Sequence, residues 1–112
     1  MSIDVISLAD TMTAAASRSV ICWPAIRIVA QSELRRFAQT LEEVRQLYAE
    51  GVIEEEEAFA MAGAYRAAAQ CVLRSVQSVT APTAQAAAPR VMKAALSEAR
   101  PIVNRALGFP LI

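Results

Sequence analysis

EEEEAFAMAGAYRAAAQCVLRSVQSV, residues Glu54 to Val79, opens on four carboxylates and then runs apolar almost all the way round. The stretch is rich in Ala, Met, Leu, Gln and Arg and holds no Pro, a composition that favours an α-helix. Arg66, Gln70, Arg74 and Gln77 recur at spacings of four, four and three, which puts them on one face. The other faces carry Phe59, Met61, Tyr65, Val72, Leu73, Val76 and Val79 with small residues between them. A helix apolar over most of its circumference is expected at the centre of its bundle or lodged in a partner or a membrane. Ala60, Ala64 and Ala68 repeat every four residues, as do Gly63, Ala67 and Cys71, leaving two adjacent ridges with little side-chain bulk. Such ridges let a second helix approach closely. The pattern is familiar from membrane helices, but Arg66, Gln70 and Arg74 interrupt any apolar run of spanning length, so ordinary close packing is expected.

Upstream, Gly51 supplies a left-handed residue that stops a preceding helix, and Val52 and Ile53 carry the chain over the turn as an apolar staple. Glu54, Glu55, Glu56 and Glu57 then sit at the positive end of the next helix dipole. Two readings of the preceding helix compete. In one, Pro24 lies in its first turn and Ile26, Ala30, Leu34, Phe37, Leu41, Val44 and Tyr48 keep one register to Glu50; in the other, it starts at Ser32 after an extended Ile26–Ala30. The unbroken register favours the first. Helix, short turn, helix predicts an antiparallel hairpin of about 24–50 and 54–79.

Ile3 to Arg18 has the period of an amphipathic helix, with Val5, Leu8, Ala9, Met12, Ala15 and Ala16 on one side and Ser2 or Asp4 as cap. Ser19 to Trp23 favours extended structure, and Pro24 is expected to hold Trp23 extended and break the chain there. After Val79, Pro82 is expected to end the central helix and Thr83 to cap a last one, with Pro89 in its first turn or at an early kink. Pro101 falls inside the register, so a kink or restart is expected near Ser97 to Pro101. Gly108 ends that helix and leaves an apolar tail, residues 109–112, which either folds back onto the bundle or addresses a partner groove. The expected architecture is thus all-α. It is a single domain over 1–112, a small bundle built around the hairpin with an N-terminal helix and a Pro-kinked C-terminal helix.

Eleven Lys and Arg balance eleven Asp and Glu, yet the charges are segregated. Gln31 to Glu57 holds eight Glu against Arg35, Arg36 and Arg45, whereas from Ala58 onward Arg66, Arg74, Arg90, Lys93, Arg100 and Arg105 face only Glu98. Pairing of the two halves within one chain is the expected outcome, with head-to-tail pairing of copies the alternative. The 55% hydrophobic content comes largely from 24 Ala, which points to closely packed thin helices and to apolar surface that one chain leaves uncovered.

Catalytic and cofactor signatures are not found. His is absent, removing the commonest general base and nitrogen ligand, and no Gly-rich phosphate loop, GxSxG, CxxC or HExxH occurs. The acidic cluster Glu42, Glu43, Glu50 and Glu54 to Glu57 reads as a solvated helix start, since the loop lacks the oxygen-rich alternation of a calcium site. No enzyme activity, cofactor or metal is therefore expected. Nor is nucleic acid the expected partner, because the chain is neutral and its basic stripe Arg90, Lys93, Arg100, Arg105 has no interleaved aromatics. Cys22 and Cys71, far apart in sequence, are expected as reduced thiols in the cytoplasm, and no export signal is evident.

What remains is a helical interaction module, a scaffold, adaptor or assembly component that self-associates or docks on a larger protein. The candidate contact residues are Ala60, Gly63, Ala64, Ala67, Ala68 and Cys71 on the central helix, and Phe109, Leu111 and Ile112 in the tail. Two alternatives stand beside it. One is a membrane-surface protein using Val20 to Ala30 with Trp23 and Arg27, or the Ala-rich last helix; the other is a bundle holding a small apolar ligand among Phe59, Met61, Tyr65 and Leu96.

Overall fold

Each helix starts and stops where local chemistry satisfies its free backbone groups. A computed structural model describes residues 2–112 and contains α1 (Val5–Ser17), α2 (Trp23–Ala49), α3 (Glu55–Arg74) and α4 (Ala81–Leu107). The Asp4 carboxylate accepts the Ser7 N–H at 3.1 Å and opens α1. Pro24 sits in the first turn of α2, where its missing N–H has no helical partner to lose. Gly51, at φ +74°, closes α2: the Val52 N–H reaches Leu47 O at 2.9 Å and the Gly51 N–H reaches Tyr48 O at 3.1 Å. Glu54 then opens α3 through a reciprocal capping box with Glu57.

The hairpin of α2 and α3 is present. Its outer neighbours close the bundle: α1 packs on α2 and α4, α3 packs on α2 and α4, and α2 touches α4 across the middle, while α1 and α3 stand apart on opposite sides. Successive helices run antiparallel in an elongated body of 44 × 22 × 18 Å. Leu8, Met12, Leu34, Phe37, Leu41, Val44, Val91, Met92 and Val103 are essentially sealed from solvent between them. Ala16, Ala30, Ala38, Ala58, Ala88, Ala95 and Ala99 fill the gaps among these larger side chains. The Ala content therefore brings the helices together without widening the core.

Several boundaries differ from expectation. Trp23 is helical rather than extended, and the break spans residues 18–22, because Cys22 O already accepts the N–H groups of Ala25 and Ile26. The third helix stops at Arg74, not Val79. Ser75 turns its hydroxyl back to Cys71 O, Val76 drops into the core, and Ser78 crosses to donate to Ala25 O at 2.7 Å, so the crossing to α4 takes up the last five residues. Pro82 opens α4 rather than ending α3, with Thr80 as cap in place of Thr83. Pro89 then lies inside α4, and no restart occurs at Pro101: the helix is continuous from Ala81 to Leu107. In the turn before α3, Ile53 is buried as a staple requires, but Val52 points to solvent.

Candidate interaction surface

The third helix is peripheral, contrary to its expected central place. Ala58, Ala62, Ala69 and Leu73 bury its inner face, whereas Ala60, Gly63, Ala64, Ala67, Ala68 and Cys71 all lie on solvent. Ala68 borders a shallow cleft against Glu33, Arg36, Phe37 and Thr40 of α2, and Gly63 stands clear of the described residues. A methyl group added at Gly63 would meet nothing within 4 Å. The sequence misled because Ala is compatible with both core and surface, so a helix rich in Ala reads as apolar all round even when one side is wet.

The outward face has its own order. Glu56, Ala60, Gly63, Ala67, Gln70 and Arg74 follow spacings of four, three, four, three and four, the seam of a helix that pairs with one neighbour. This seam lies on the outer side of α3, away from Ala58, Ala62 and Ala69, with Gln70 half-buried at its edge. Phe59, partly exposed, flanks it.

The tail residues are engaged within the chain. Phe109 sets its ring edge-on against Tyr48 and Phe59, with centroids 4.9 and 5.7 Å away, and Leu111 is buried. Asn104 fixes the backbone behind it: its Oδ1 accepts the N–H groups of Leu111 (2.8 Å) and Ile112 (3.1 Å), and its Nδ2 donates to Ile112 O (3.1 Å). Arg100 Nε donates to the same oxygen. Nothing in the sequence singled out Asn104, which reads as one more polar residue on an exposed stripe.

A second anchor ties α1 to α2. Arg45 donates from Nε (2.8 Å) and Nη2 (2.7 Å) to the two oxygens of Glu42, and the Ile3 N–H donates to the same carboxylate at 2.9 Å. The Arg45 guanidinium holds the Glu42 carboxyl below its ordinary range; partial burial opposes this and the Ile3 N–H adds to it. Glu42 in turn raises Arg45. The ion pair joins residues three apart on α2, whereas the backbone donor comes from 39 residues away.

The segregated charges do not pair across the bundle. Among the described residues the ion pairs are Glu33–Arg36 and Glu42–Arg45, both within α2, and none joins the acidic hairpin to Arg66, Arg74, Arg90, Lys93, Arg100 or Arg105. The antiparallel fold sorts the charges by end instead. Residues 11–32 and 58–97 carry six basic and no acidic side chains, and Arg18, Arg27, Arg74 and Arg90 gather at the end where α1 meets α2 and α3 meets α4. At this end a groove of ≈ 530 Å³ is lined by Val20, Ile21, Cys22, Pro82, Ala86 and Arg90, among others. The four consecutive carboxylates stand at the opposite end.

The quartet proposed for an apolar ligand is divided: Phe59 stands outside against the tail, Leu96 lies in the core, and Met61 and Tyr65 are half-buried. Among the described residues no three His, Cys, Asp or Glu side chains are grouped to hold a metal ion, and no helix is long and apolar enough to cross a membrane. Comparison with protein-family models, curated proteins and solved structures finds no match.

Proposed function

We propose that the chain is a non-enzymatic helical interaction module, a scaffold or assembly component, that pairs with a second copy of itself through the outer face of α3. The observation that carries this is the seam Glu56, Ala60, Gly63, Ala67, Gln70, Arg74, turned away from its own bundle with no partner. Laid antiparallel on a copy of itself, the seam is self-complementary about the level of Tyr65. Glu56 then faces Arg74 of the second copy, Ala60 faces Gln70, and Gly63 faces Ala67. A parallel arrangement would instead set Glu56 against Glu56 and Arg74 against Arg74. The small central residues let the two helices come close, and the charged ends lie about 27 Å apart on each chain, which fixes register. Two-fold pairing of this kind closes on itself as a dimer. One helix face is a small interface, so the dimer is weak and its formation depends on concentration. The two free thiols fit a reducing compartment, and we place the module in the cytoplasm.

Light scattering across a concentration series tests this. The wild-type chain is expected to rise from monomer toward dimer mass, and Ala67→Arg to stay monomeric with unchanged helicity. If Ala67→Arg associates like the wild type, the face is wrong. If the wild type never exceeds monomer mass, the second copy is the wrong partner.

A further inference from the structure

The basic end of the bundle also carries the most exposed large apolar side chains. Ile21 is fully exposed at 101% and Ile28 is 75% exposed, with Pro24 and Ala25 on solvent between them. These four follow one another at the corner where α1 turns into α2, so they project as a knob and not as scattered residues. Trp23, half-buried, stands at its base. Arg18 precedes the knob in sequence, Arg27 falls within it beside Ile28, and Arg90 shares the adjoining groove with Ile21. No Asp or Glu occurs between residues 11 and 32, so no carboxylate at the corner offsets these guanidinium groups.

We infer that this end docks on an anionic lipid bilayer. The chemistry of the corner matches both layers of such a surface. Exposed isoleucine side chains enter the headgroup–acyl boundary, Trp favours the headgroup level, and arginines around them meet the negative surface potential. A nucleic acid would use the charge but give Ile21 and Ile28 nothing to enter. A protein groove would use the apolar knob without needing an acid-free surround. The carboxylates at the far end are held away from the anionic surface by the length of the bundle, beyond the range at which salt leaves their repulsion effective. In the antiparallel dimer proposed above, the two basic ends lie at opposite poles, so the dimer links two bilayers while a monomer coats one.

Sedimentation of the full chain with vesicles tests the inference. Phosphatidylcholine vesicles containing phosphatidylserine are expected to carry the chain down, and pure phosphatidylcholine vesicles to leave it in the supernatant. Neutralising one arginine, in Arg27→Gln or Arg90→Gln, weakens binding about fivefold, and raised salt weakens it further. The double variant Ile21→Ser with Ile28→Ser loses most of the remaining affinity. Both positions are on solvent, so the fold is unaffected, and Val52→Ser, an exposed apolar residue at the acidic end, serves as the neutral control. Equal sedimentation with and without phosphatidylserine overturns the inference. So does binding that survives the double Ile variant, which would assign the end to a polyanion read by charge alone. Ala67→Arg separates this from the dimer: it is expected to abolish vesicle clustering while leaving sedimentation intact, and loss of sedimentation in that variant would contradict the placement of the docking site at the basic end.

Discussion

At the scale of single residues, Gly63 and Glu42 carry the clearest consequences. Gly63 lies mid-helix in ordinary helical backbone with open space where a methyl group would go, so nothing in the monomer requires glycine there. Gly63→Ala is therefore expected to stabilise the monomer by about 0.5–1 kcal/mol in thermal or urea unfolding, through helix propensity and a less flexible unfolded chain. A loss of stability would mean that the position is crowded within the chain. Glu42 is the opposite case, a residue with every oxygen engaged. Its carboxyl is held below the unfolded value, so its contribution to stability is present above the ordinary carboxylate range and is lost as pH falls through the lowered folded value. Glu42→Gln is expected to cost about 1–2 kcal/mol near neutrality and to flatten the acid limb of the stability curve. An unchanged acid limb would remove Glu42 from the account.

At the scale of elements, the tail is an added piece of fold held by one side chain. Asn104→Ala removes three of its backbone hydrogen bonds and is expected to speed amide exchange at Leu111 and Ile112, with a global loss of about 1–2 kcal/mol. Unchanged exchange would show that Phe109 and Leu111 hold the tail alone. The elements themselves were largely legible. Asp4, Gly51, Glu54 and Gly108 acted as start and stop signals, because each supplies a cap or a left-handed residue by local chemistry. Arg74 as the end of α3 was not legible, since Ser75 to Val79 is a sound helical continuation until Ser78 is tied to Ala25 across the bundle. Pro82 was assigned to the wrong role for a related reason: a proline marks a first turn, an end or an interior position equally well until the cap is known, and here the cap is Thr80, which also removes the first-turn reading of Pro89.

At the scale of the whole molecule, the sequence announced a charge split but not its direction in space. An antiparallel hairpin can cancel such a split across its helices or stack it at the ends; the described ion pairs are local, and the basic residues collect at one end. The candidate face was legible as a pattern and misplaced as a location. Small residues at every fourth position mark a surface for close approach, and only the structure tells that Ala60, Gly63, Ala64 and Ala67 lie on solvent in this chain. The resulting object has an acidic end, a basic end that also exposes Ile21 and Ile28, and one small-residue side; the proposed self-association would use the side and the inferred lipid docking the basic end.

The most direct measurement mixes two charge-reversed chains. Glu56→Arg and Arg74→Glu each place like charges across both ends of an antiparallel seam, whereas an equimolar mixture restores opposite charges at both. Sedimentation equilibrium is expected to find each variant alone monomeric at concentrations where the wild type dimerises, and the mixture to regain the dimer. Dimerisation of either variant alone to the wild-type extent, or a mixture that stays monomeric, would contradict the antiparallel pairing of α3.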